Sequence, residues 1–296
     1  MNRKPVRHSS LAVTLLVAAL LATLVAGALY AACQYTQRQR EAAELQPASA
    51  SQPADLISDD RIIFAGIPRS IRAESAFTVL KNTAYIVGYS ESRKDPLWSA
   101  YHLIKKDNPF LLERPKGDFM TDIRTTSRVS HHDFTGSGYD RGHMTPNSAI
   151  AKCFGHQAQL ETFLLSNICP QAPALNQKVW EKLEMEELPY ADRFGEIWII
   201  DGPVFADLNG GTTHTLRTGI AVPTAFYKII LEDHAGPAHH PTAFAVIIPQ
   251  TVKGIELPAQ YVTSIENIEH QTALEFFWKL DPQTSTTLKS KINPPW

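Results

Sequence analysis

Only three cysteines occur among 296 residues, and no Cys-x-x-Cys spacing is present, so a structural zinc site is not indicated. Cys33 lies in an apolar run. Cys153 and Cys169 are therefore the one pair available to the rest of the chain, either as a disulfide in an oxidising compartment or as two inert buried thiols. A basic excess is also missing: 28 lysines and arginines face 30 aspartates and glutamates, a formal charge of −2. A protein that holds duplex nucleic acid by charge alone needs a basic footprint, so a purely architectural binder is disfavoured. An enzyme that touches a few phosphates and releases its product remains compatible. Internal repeats are absent as well. What is present, 44% hydrophobic and 20% charged residues, is ordinary for a folded body, and the length suits one large domain with appendages.

The N-terminal segment divides by composition. Residues 1–10 are basic, with Arg3, Lys4 and Arg7, and residues 11–33 form an unbroken weakly polar-to-apolar run. About 20 apolar residues cross a bilayer, whereas a signal-peptide core has about 7–15. The run is read as a transmembrane signal anchor ahead of a cleaved signal peptide, with the start inside and the body exported. Residues 34–60, rich in Ala, Ser, Gln and Pro over their later part, read as a flexible linker, which leaves 61–296 as the folded body. The body is expected on the periplasmic or extracellular side of a bacterial membrane, ahead of a mitochondrial intermembrane space, because no transit-peptide pattern precedes the apolar run.

Runs rich in β-branched and aromatic residues predict strands at 62–65, 83–89, 97–103, 162–168, 196–200, 221–230 and 243–248. Asp201-Gly202-Pro203 reads as a turn. A short helix is predicted over 147–159 and a longer one over 174–190, where Leu175, Val179, Leu183 and Leu188 recur at helical spacing. Asn176, Trp180 and Glu184 fall on a neighbouring stripe. Thr263 and Glu266 can form a capping box for a later helix, and Phe276-Phe277-Trp278 is read as closing the core. His214, His234, His239 and His240 sit in polar stretches and are read as unligated. Between residues 108 and 138 lies a long irregular stretch carrying Arg114, Lys116, Arg124 and Arg128, and a loop of that length is functional or disordered.

Chemistry concentrates at Tyr139-Asp140-Arg141-Gly142-His143-Met144-Thr145-Pro146. In a strand, side chains alternate faces, so Arg141 and His143 share one side. A guanidinium beside an imidazole suits chemistry on an anion: one holds a phosphate oxygen while the other takes a proton. Gly142 between them permits a close approach.

Those residues resemble the Asp-Arg-Gly-His motif of the DNA/RNA non-specific endonucleases. The similarity continues through Leu-Ser-Asn-Ile-x-Pro-Gln at 165–171 and Leu-Asn-Gln-x-x-Trp-x-x-Leu-Glu at 175–184, and in coarser form over about 60–281. The resemblance implies an α+β fold of the ββα-metal (His-Me finger) type with a mostly antiparallel central sheet. It implies hydrolysis of phosphodiester bonds in DNA and RNA with little sequence preference. His143 would be the general base and Asn176 the ligand of Mg²⁺, with Mn²⁺ as a substitute. Arg141 would offset charge on the phosphoryl oxygens, and Asp140 would buttress Arg141 or the metal's water shell. Glu184, two turns from Asn176 and roughly 12 Å along a helix axis, would act through metal-bound water. Asn167 either orients the site or bonds backbone.

The family places a phosphate-binding arginine before an aromatic residue and an aspartate. Phe119 and Asp122 fit that frame, but Gly117 and Asp118 stand where the arginine is sought, so Arg114, Lys116 and Arg124 all remain candidates. Partners implied are DNA, RNA, a membrane through the N-terminal run, and a second copy of the chain. Two alternatives remain: a catalytically silent, membrane-anchored nucleic-acid binder on the same fold, and a small-molecule phosphodiesterase.

Overall fold

The computed structural model describes residues 23, 27, 29–32, 34, 36 and 59–296, without 116, 118 and 234–240. The chain divides into two units, Met1–Pro53 and Ala54–Trp296. In the first, the described positions are helical. The predicted membrane segment and linker fall almost wholly outside the described residues, as do His234, His239 and His240. Among the described residues no helix is long and apolar enough to cross a membrane.

The second unit is built on strands β1 (Thr78–Lys81), β2 (Tyr85–Ser90), β3 (Asp95–Ile104), β4 (Asp140–His143), β5 (Ile168–Gln171), β6 (Glu196–Val204), β7 (Ala225–Asp233), β8 (Pro241–Pro249) and β9 (Val262–Thr263). Its longer helices are α1 (Asn147–Phe154), α2 (His156–Glu161), α3 (Glu181–Phe194), α4 (Ile265–Thr272) and α5 (Pro282–Ser290), and a π-helical segment, Leu175–Trp180, runs directly into α3. Seven strands form one antiparallel sheet in the order β9-β8-β7-β6-β3-β2-β1. Strands β4 and β5 pair separately as a two-stranded ribbon.

Period-two alternation sorts the large sheet's residues onto two cores. Tyr85, Val87, Tyr101, Ile197, Ile199, Phe226 and Ile230 face one side, where Leu175, Val179, Trp180 and Leu183 cover them. Ile86, Trp98, Ile200, Tyr227, Ile229 and Leu231 face the other, covered by Ile265, Ile268, Phe276, Phe277 and Leu288. The predicted core role of Phe276 and Phe277 therefore holds. Cys153 and Cys169 are both free and buried, so the second of the two cysteine readings applies.

Several predicted elements change. Residues 59–62 form a helical turn in place of a strand at 62–65, closed by Ile63 N donating to Asp59 O at 2.8 Å. The helix predicted over 147–159 breaks at Gly155, whose φ of 86° no helix accepts. The strand predicted at 162–168 is a 3₁₀ turn, and the ribbon strand instead starts at Ile168 and passes through Pro170. A two-stranded ribbon has only edges, so a proline without an N–H is tolerated there. For the same reason Pro203 sits inside β6 and not in a turn: the pairing with β3 ends at Asp201, beyond which only β7 is a partner. Ser264, not Thr263, caps α4, accepting from Asn267 N at 3.1 Å.

Candidate functional site

The ribbon and the helix that follows it position the motif residues. Asp140 pairs with Gln171 and His143 with Ile168 across the ribbon. Alternation along β4 then sends Arg141 and His143 to one side and Asp140 and Gly142 to the other, as the strand period requires. On the second side a Cβ at Gly142 would lie 2.6 Å from Gln171 Cβ and 2.8 Å from its Cδ. The expected result for Gly142→Ala is a lower thermal midpoint, from overpacking of about 1–3 kcal/mol. A scan that leaves the midpoint unchanged would refute the close packing.

Below the ribbon, Asp140 Oδ2 accepts from Asn176 Nδ2 at 2.9 Å and from Gln177 Nε2 at 2.7 Å. A carboxylate only accepts, so the amide nitrogen of Asn176 must face Asp140 and its oxygen is turned away. The motif implies a place for Asp140 beside Arg141 or the metal's water shell. In the structure its carboxylate holds the start of the helix through Asn176 and Gln177. Gln177 was overlooked although it adjoins Asn176 within the quoted motif.

Arg141 donates from Nη2 to His131 O at 2.7 Å, and its guanidinium lies 5.6 Å from the Phe134 ring centre. It thus ties the 131–134 turn to the ribbon. His143 sits between two rings, 5.2 Å from Phe119 and 5.5 Å from Phe163. Its Nε2 makes no hydrogen bond among the described residues. Burial, with the Arg114 charge adding to it, pushes the imidazole down to about 3, so it is neutral near pH 7. Asn167 clamps the strand just beyond: its Oδ1 accepts from Thr145 N at 2.9 Å, and its Nδ2 donates to Thr145 O and Thr162 O at 3.0 Å each. Of the two readings for Asn167, the backbone one applies.

A cleft of about 490 Å³ opens beside the imidazole, lined by His143, Arg114, Lys152, Glu181, Glu184 and Met185 among others. The candidate cations now separate. Arg114 reaches the cleft and lies 5.2 Å from the Phe163 ring centre. Arg124 is committed to scaffold: it donates to Asp122 through Nε at 2.9 Å and Nη2 at 2.6 Å, and to Lys81 O at 2.6 Å. Lys116 lies outside the described residues. Asn176 and Arg141 are not in the cleft lining. Asn176 contacts Asp140, which is likewise absent from the cleft lining. Glu181, one turn before Glu184, was overlooked, and helical spacing alone could have flagged it.

The predicted Asn176-Trp180-Glu184 stripe is not kept. The π-helical segment changes the phase of the side chains between 175 and 180, a distortion frequent at functional sites. Trp180 is fully buried, with Lys228 Nζ 5.0 Å from its ring centre. Glu184 faces the cleft. Burial, reinforced by Glu187, Asp201 and Glu181 against the attraction of Lys228, pushes its carboxyl up to about 8 from an ordinary 4.5. The fold therefore keeps a proton that the unfolded chain releases from about pH 4.5, so stability falls as pH rises through 4.5–8. Without divalent metal, Glu184→Gln is expected to raise the thermal midpoint, by nothing below pH 4.5 and by a constant amount above pH 8. Calorimetry at pH 4, 6 and 9 checks this, and a uniform gain would contradict it.

Among the described residues no group of three or more His, Cys, Asp or Glu is placed to hold a metal. Asn176 turns its amide oxygen away from Asp140, and a hard oxygen donor of that kind suits Mg²⁺.

Comparison with known proteins gives the family. A model of the DNA/RNA non-specific endonuclease family matches residues 70–283. The mitochondrial nuclease EXOG of Mus musculus is 30% identical over 210 residues, covering 67% of this chain and 56% of that protein. Nuclease C1 of Cunninghamella echinulata is 29% identical over 218 residues, with 69% and 84% covered. The mitochondrial endonuclease G of Homo sapiens is 27% identical over 203 residues, with 65% and 67% covered. The matched part of the chain thus spans little more than half the length of its EXOG relatives. A crystal structure of the EndoG/EndoGI complex superposes with a TM-score of 0.61 at 25% identity, covering 70% of this chain and 88% of that one. With the family model running through both the ribbon and the helix beneath it, the chain belongs to the DNA/RNA non-specific endonucleases.

Proposed function

We propose that the chain is a divalent-metal-dependent endonuclease that hydrolyses phosphodiester bonds of DNA and RNA with little sequence preference. The observation that carries this reading is a neutral His143 that lines a cleft together with Arg114, its buried Nε2 left without a hydrogen bond among the described residues. In this reading His143 Nε2 takes the proton of the attacking water, for which a neutral imidazole is required. Arg114 binds a phosphate oxygen and offsets the charge that grows on the phosphoryl group. That role is given to Arg114 because Arg114 lines the cleft and Arg141 does not. Arg141 and Asp140 are positioning residues, one for the 131–134 turn and one for Asn176. The oxygen of Asn176, with Glu184 acting through water, would hold Mg²⁺ or Mn²⁺. When bound, such an ion polarises the scissile phosphate and stabilises the leaving oxygen. Contacts of this kind read phosphate and not base edges, in keeping with low sequence preference. We further propose that the apolar run 11–33 holds the body at a membrane, outside the cytoplasm.

The test is incubation of the full chain with supercoiled plasmid and with RNA, in Mg²⁺ or in EDTA. Cleavage of both, lost in EDTA, is the expected outcome. Retention of plasmid without cleavage would favour the silent binder, and turnover of a chromogenic diester alone would favour the small-molecule enzyme.

A further inference from the structure

Outside the cleft, a second group of cations has been given no role. Arg128, His132 and Arg217 are all exposed, and neither arginine side chain makes a hydrogen bond or ion pair among the described residues. They stand on two segments that are packed together. Val129 and Phe134 of one share a small apolar core with Leu216 and Ile220 of the other. At the surface Thr218 Oγ1 donates to Asp133 O at 3.1 Å and ties the two segments again.

Each arginine sits at a turn that is braced from below. Thr126 N and Ser127 N both donate to the Glu91 carboxylate at 2.8 Å, and the Tyr89 and Ser127 hydroxyls are 2.9 Å apart. Arg128 follows with a left-handed φ of 48°, while its neighbour Val129 is buried. A residue with a β-carbon keeps that conformation only where its surroundings impose it, and such positions cluster at functional sites. Arg217 occupies a corner of a tight turn in which Gly219 N donates to Leu216 O at 2.9 Å. Lys94 Nζ supports that turn by donating to Thr218 O at 2.8 Å. The carboxylates fixed to these segments are already engaged. Glu91 holds the backbone at 126–127, and Asp133 accepts from Ser130 N at 2.7 Å and Ser130 Oγ at 2.9 Å.

The patch adjoins the motif strand. Arg141 donates to His131 O at 2.7 Å, so the 131–134 turn lies on the side of β4 that Arg141 shares with His143. Same-side neighbours on a strand are about 6.6 Å apart. A polyanion that runs from the imidazole along β4 therefore passes Arg141 and reaches the exposed cations next. Guanidinium groups suit phosphate oxygens, which they can bond in pairs. With a net charge of −2 the chain as a whole attracts no polyanion, so attraction must come from local patches of this kind. Resting on the nuclease reading above, we propose that Arg128 and Arg217, together with His132, form a phosphate-binding track that grips the nucleic-acid backbone away from the scissile bond.

The experiment uses the full chain carrying His143→Ala, so that a labelled DNA duplex stays intact, and reads affinity by fluorescence anisotropy in Mg²⁺ over a range of KCl. Each phosphate contact removed should reduce the steepness of log affinity against log salt by about 0.9. Arg128→Gly and Arg217→Ala are each expected to reduce it by that amount, and the double variant by twice as much, with affinity falling several-fold at each step. Arg128→Gly should do so without lowering the thermal midpoint, because glycine adopts a φ of 48° freely. Lys291→Ala, which removes one charge just past α5, the helix that covers the other face of the large sheet, should leave the slope unchanged. Slopes in both arginine variants that match Lys291→Ala overturn the track. So does a loss seen only with anionic lipid vesicles, nucleic acid being held as before. Plasmid cleavage by the unaltered chain separates these failures from that of the nuclease reading, which only an absence of cleavage overturns.

Discussion

His143→Ala is expected to lower kcat for plasmid and RNA cleavage by about 10²–10⁴-fold, the range over which a positioned general base contributes. Its thermal midpoint should fall only by the packing lost between Phe119 and Phe163. The imidazole Nε2 has no hydrogen-bond partner among the described residues, so its removal leaves no buried group unpaired. The pH dependence separates this role from a merely structural one. An ordinary imidazole would bring an acid limb near pH 6.5, whereas burial and Arg114 hold His143 neutral down to about 3. At saturating Mg²⁺, kcat/KM should therefore show no limb attributable to His143 between pH 5 and 7. Arg114→Ala removes the cationic part of that depression, so any acid limb should move upwards in that variant as well as KM rising. Activity in His143→Ala within twofold of the unaltered chain would end the assignment.

The parts of this arrangement that were legible in the sequence are those governed by local periodicity. The β-branched runs at 83–89, 97–103 and 243–248 became β2, β3 and β8, because each alternates between two covered faces. The shared side of Arg141 and His143 followed from strand geometry alone. What escaped depends on contacts between distant residues. Asp140 meets Asn176 across 36 positions, and nothing at either position announces the pair. Arg114 could not be told from Arg124 within the 108–138 stretch. Its place in the cleft depends on two tertiary ties to the α1–α2 region, while Arg124 is drawn off by Asp122. Pro170 and Pro203 read as breakers, since edge status is a property of the sheet and not of the residue. The π-helical phase change over 175–180 likewise has no signature in an apolar stripe that fits an ordinary helix well.

The largest stability effect is expected at a residue with no part in the cleft. Lys228, fully buried, stands opposite Asp201 in the β6–β7 register, with Nζ 3.0 Å from its carboxylate. On the same face it donates to Glu187 of α3 and to the Tyr101 hydroxyl at 3.0 Å, and Tyr101 in turn donates to Glu187 at 2.8 Å. One cation thus neutralises two carboxylates at the interface between the sheet and the helix that carries Glu184. Even with it, burial raises both carboxyls, Asp201 to about 6. Lys228→Met keeps the volume but leaves Glu187 and Asp201 facing each other without a counter-charge. Removing one partner of a buried ionic group costs about 3–5 kcal/mol. At about 2–4 °C per kcal/mol for a body of this size, the midpoint should fall by roughly 6–20 °C. The loss should be smaller at pH 5 than at pH 8, because the stranded carboxyls can then take up protons. Adding Glu187→Gln and Asp201→Asn to Lys228→Met should restore much of it, since apolar and neutral groups in that layer need no charge. A Lys228→Met midpoint within 2 °C of the unaltered chain at pH 8, or a loss that the two added substitutions deepen, would show that the layer is hydrated and that its charges do not hold α3 to the sheet.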